Sequence, residues 1–108
     1  MNKHTLTSES ALCLLREATH ETSGIFSMLR SGVAPPECEL ERLRSAAEVM
    51  QHHFANCDVM PRVVTVICAI FMHFRGECER NLHSKSGPRY CLDAVLELEQ
   101  IAFNTLAR

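Results

Sequence analysis

The chain has 108 residues, 46% of them hydrophobic and 22% charged, and a formal net charge of −2. That length supports one domain with one core. The near-neutral balance excludes bulk electrostatic capture of nucleic acid or of an anionic membrane, so any charge-based function has to be local.

The chain opens MNKHTLTSES, without an apolar run of signal-peptide length. Residues 1–7 are expected to form a flexible lead-in to a single domain over 8–107, in a cytoplasmic protein. From 8 to 30, Ala11, Leu12, Leu15, Ala18, Thr22, Ile25, Phe26 and Leu29 recur at steps of three and four, which predicts one amphipathic helix. Thr7 or Ser8 is placed to cap its first turn, and Gly32 to end it in the left-handed conformation. Gly24 lies inside this helix, as a weak point or a place of close helix approach.

The prolines at 35 and 36 break the chain, and a second helix follows with Pro36 in its first turn. Its apolar positions Leu40, Leu43, Ala47, Met50, Phe54 and Cys57 form a continuous narrow seam, and Glu41, Arg42, Arg44, Glu48 and Gln51 between them form a solvated face. Asn56, Asp58 and Pro61 mark a corner, with Asp58 the expected N-cap of a third helix.

That third helix carries the most apolar stretch of the sequence, RVVTVICAIFMHF over 62–74, where only Thr65 and His73 interrupt the apolar residues after Arg62. It is too short to span a bilayer, which takes roughly 18 apolar residues. It has no polar face and must be covered on all sides. The helix is expected to continue to about residue 82, changing character at Phe74, with Gly76 as a bend or stop. After a loop at 84–88, a fourth helix over 88–106 carries two stripes. Cys91, Val95, Leu98 and Ala102 form one, while Leu92, Leu96, Phe103 and Leu106 lie about 100° round from it.

Short connections make successive helices antiparallel, so the expected fold is all-α, an up-and-down bundle of about four helices. Such a bundle cannot cover an all-round apolar third helix and a doubly striped fourth. A partner surface is therefore expected at Val63, Val66, Ile67, Ile70, Phe71 and Phe74, with Leu92, Leu96 and Phe103 as a second strip, and a homodimer or a second protein is the expected partner.

The residues that carry chemistry are sparse. Six cysteines stand without a CxxC pair, which fits reduced thiols better than a disulfide framework. His53 and Cys57, four apart and next to His52, are the best metal candidates, and Cys68, His73 or Cys78 would have to complete the ligand set. Arg89-Tyr90-Cys91-Leu92-Asp93 resembles the cysteine-bearing helix start of small helical copper-sensing repressors. The His and Cys that such proteins place further along do not follow here, and no ligand set is carried over.

Cys78 has His73 and His83 five residues away on either side, neither on its helical face, and no nucleophile elbow is present. No enzyme and no cofactor are expected. Arg75, Arg80, Lys85 and Arg89 gather near the third loop with Glu77 and Glu79 among them, which suits an ion-paired end or a polar rim better than a nucleic-acid surface. The sequence thus points to a small regulatory protein acting by protein contact, such as an antiactivator or antiadaptor occluding the dimer surface of a transcription regulator. A metal- or thiol-sensing protein and a secretion chaperone are the alternatives.

Overall fold

The computed structural model describes residues 6–20 and 22–107. The expected flexible segment falls mostly on 1–5, outside the described residues. Leu6 already packs against the core, and the Thr7 hydroxyl accepts a hydrogen bond from the Ser10 amide at 3.0 Å, so the folded part starts there. The described residues form helices and no strands: α1 (Ser8–Ala18), α2 (Ile25–Arg30), α3 (Glu37–Phe54), α4 (Arg62–His73), α5 (Arg75–Ser84) and α6 (Arg89–Leu106). A radius of gyration of 13.2 Å is that of a single body of this length.

The expected class holds, but the expected first and third helices are each two. The first breaks after Ala18, where the Thr19 hydroxyl donates to the Leu15 carbonyl at 2.8 Å and ends α1. Gly24 then adopts an extended conformation and starts α2. A Cβ at Gly24 would collide with the carbonyl oxygens of Ala18 and Glu17, so glycine is required there by the close return of the chain over the end of α1. The stripe stays in phase across this break, which is why periodicity alone reads it as continuous.

The third helix kinks at Phe74, two residues before the suspected Gly76. Phe74 has φ −97° and ψ 7°, while its amide still bonds the Ile70 carbonyl at 3.1 Å and its own carbonyl accepts from the Cys78 amide at 3.0 Å. One residue leaves the helical conformation and the axis turns. The kink carries α5 onto α2, where the Asn81 amide donates to the Arg30 carbonyl.

Three helices start on a proline: Pro36 before α3, Pro61 before α4 and Pro88 before α6, all at ψ between 143° and 150°. Pro36 therefore stands at the N-cap rather than inside the first turn, and the cap position of α4 is Pro61, not Asp58. Gly32 ends α2 at φ 80°, as expected, with the Val33 amide bonding back to the Met28 carbonyl at 2.8 Å.

The layout follows from α6, which packs on α3, α4 and α5. Its main stripe, Cys91, Val95, Leu98 and Ala102, is buried, as are Leu40, Leu43, Ala47, Met50 and Phe54 of the α3 seam. α1 lies on α3, and α2 lies on α5. The rings of Phe26 on α2 and Phe71 on α4 meet edge to face at 5.2 Å and join these two helices. Arg44 to Glu97 at 3.0 Å ties α3 to α6, and Arg75 to Glu99 at 3.3 Å ties α5 to α6.

Candidate interaction surface

Around the ring α6, α3, α1, α4, three edges are closely packed and one is open. α1 and α4 only just touch, and between them runs a groove of about 960 Å³. Leu12, Val63, Val66 and Ile67 supply its apolar part, with Cys13 and Thr19 beside them. Glu9, Arg16, Glu17, His20 and Arg62 form its polar border. Two further clefts, between α1, α2 and α3 and between α3 and α6, hold about 230 and 200 Å³ and are too small for a helix.

The charges bordering the groove differ from those elsewhere. The ion pairs among the described residues join α2 to α5, α3 to α6 and α5 to α6, or lie within one helix. None of them involves Glu9, Arg16, Glu17 or Arg62. These side chains keep both signs of charge available beside an apolar floor, the arrangement of a binding surface with a polar rim.

The expected contact residues separate on this geometry. Val63 and Val66 face the groove, and Val66 is 45% exposed. Ile67 lines the groove floor but is only 1% exposed. Phe71 is 0% exposed and packed on Phe26, which makes it a core residue and removes it from the contact strip. Ile70 and Phe74 are half-buried, and Phe74 is covered by the Arg30 guanidinium at 3.7 Å from its ring centre. On α6, Leu96 and Phe103 are 45% and 53% exposed and Leu92 is half-buried. This second strip is not part of the groove lining.

The opposite wall of the groove, from Leu12 on α1 to His20 just beyond its end, was not legible as a site. Leu12 belongs to the stripe of the first helix and reads as core. The one local signal is that Leu12 and Thr19, seven residues apart, lie together on the flank of that stripe.

The expected chemical alternatives lose their geometry. α3 ends at Phe54, so Cys57 sits in the turn beyond it and does not share a helical face with His53, which is exposed and lies edge-on to the Phe54 ring. Among the described residues no three His, Cys, Asp or Glu side chains are grouped as metal ligands. Burial pushes the Cys68 thiol up to about 11, and burial reinforced by Glu77 pushes Cys78 up to about 12. Both are protonated near neutrality and poor nucleophiles. Cys13 and Cys38 are exposed. In the basic cluster, Arg75 is held by Glu79 and Glu99, and Arg89 by Asp93.

No described helix is long and apolar enough to cross a membrane. Comparison of the chain with protein-family models, with curated proteins and with solved structures finds no match.

Proposed function

We propose that the protein is a non-enzymatic helical regulator of the cytoplasm that acts by protein–protein contact, and that its α1/α4 groove is the contact surface. The open edge between two otherwise packed helices carries this reading: a groove with an apolar floor and unpaired charges on its border takes the apolar face of a helix laid into it. Occluding the dimer surface of a transcription regulator, as an antiactivator or antiadaptor does, is such an act. The partner's apolar helix face is then covered by Leu12, Val63 and Val66 instead of by its own second copy.

A photo-crosslinking amino acid placed at position 66 in the native host, with position 48 on the exposed face of α3 as control, tests the reading. The expected result is a defined protein crosslinked from 66 and not from 48. Equal crosslinking from both positions, or none from either, contradicts it. A secretion chaperone uses the same groove, and the identity of the crosslinked protein, a transcription regulator or a secreted protein, separates the two.

A further inference from the structure

We draw no further inference here: the strongest candidate, the exposed apolar strip of Leu96 and Phe103 on α6 with the half-buried Leu92 beside them, is an unpartnered helix face outside the groove lining, and nothing in the structure shows what covers it.

Discussion

The Arg30 guanidinium lies over the Phe74 ring, 3.7 Å from its centre, and its Nε is 3.5 Å from Glu77 Oε2. This one side chain fastens the end of α2 to the residue at which the third helix turns. The pair with Glu77 is close enough for attraction but is not aligned as a hydrogen bond, and Nε is buried without a hydrogen-bond partner. Stacking on Phe74 is therefore the larger part of the contact. Arg30→Ala is expected to cost about 1–2 kcal/mol in urea unfolding, and Arg30→Lys to restore only part of it because an ammonium has no planar face to lay on the ring.

Three glycines predict opposite signs for the same substitution. Gly24→Ala drives a methyl into the Ala18 and Glu17 carbonyls, and Gly32→Ala forces φ 80° on a side chain that would sit 2.6 Å from the Asn81 carbonyl oxygen. Each is expected to destabilise by about 1–3 kcal/mol. Gly76→Ala meets only the Arg80 guanidinium, 3.8 Å away, and lies inside α5. As the second residue of α5 it lies in the first turn, so the gain in stability is expected to be under about 1 kcal/mol, the value alanine gives over glycine in a helix interior. Midpoints of thermal unfolding for the three variants give the signs directly.

Phe71 and Val66 lie five residues apart on α4 and separate core from surface. Phe71→Ala opens a cavity against Phe26 and is expected to cost about 3–5 kcal/mol. Val66→Asp, at a half-exposed position, is expected to cost under about 1 kcal/mol in the single chain. A Phe26/Phe71 double-mutant cycle should give a coupling of about 0.5–1.5 kcal/mol, the range for edge-to-face rings.

These contrasts mark where the sequence is legible. The α3 seam was readable from Leu40 to Phe54 because a 3.6-residue period is a local property, and it failed at Cys57 because the helix ends one turn earlier than the pattern does. The breaks at Gly24 and Phe74 were not readable as breaks. In both, the apolar stripe stays in phase while the backbone leaves the helix, for a reason supplied by a distant contact: the end of α1 in one case and α2 against α5 in the other. The excess apolar surface of α4 was evident, but which side is covered depends on tertiary order. Phe71 and Val63 are equally apolar in the sequence, and only the packing of α2 on one side and the withdrawal of α1 on the other tells them apart.

The buried thiols predict an alkaline instability. Cys68 and Cys78 titrate at about 11 and about 12 in the folded chain against an ordinary value of 9.0, and Cys91 is shifted the same way by burial. Because the folded values are the higher ones, the unfolded chain loses these protons first as pH rises. Their contribution is therefore intact below about pH 9 and is lost between about pH 9 and 12. Urea midpoints across that range are expected to fall, and to fall less steeply in Cys68→Ala and Cys78→Ala. In the native state at neutral pH, a thiol reagent is expected to modify Cys13 and Cys38 rapidly and Cys68, Cys78 and Cys91 only on unfolding.

Cys13 stands in the wall of the groove and Cys38 in the first turn of α3, away from it. The alkylation rate of Cys13 relative to Cys38, measured with and without the protein that crosslinks to position 66, reads the groove most directly. Occupation of the groove predicts that Cys13 is slowed severalfold by that protein while Cys38 is unchanged. A Cys13 rate that does not change, or an equal slowing at both cysteines, contradicts the α1/α4 groove as the contact surface.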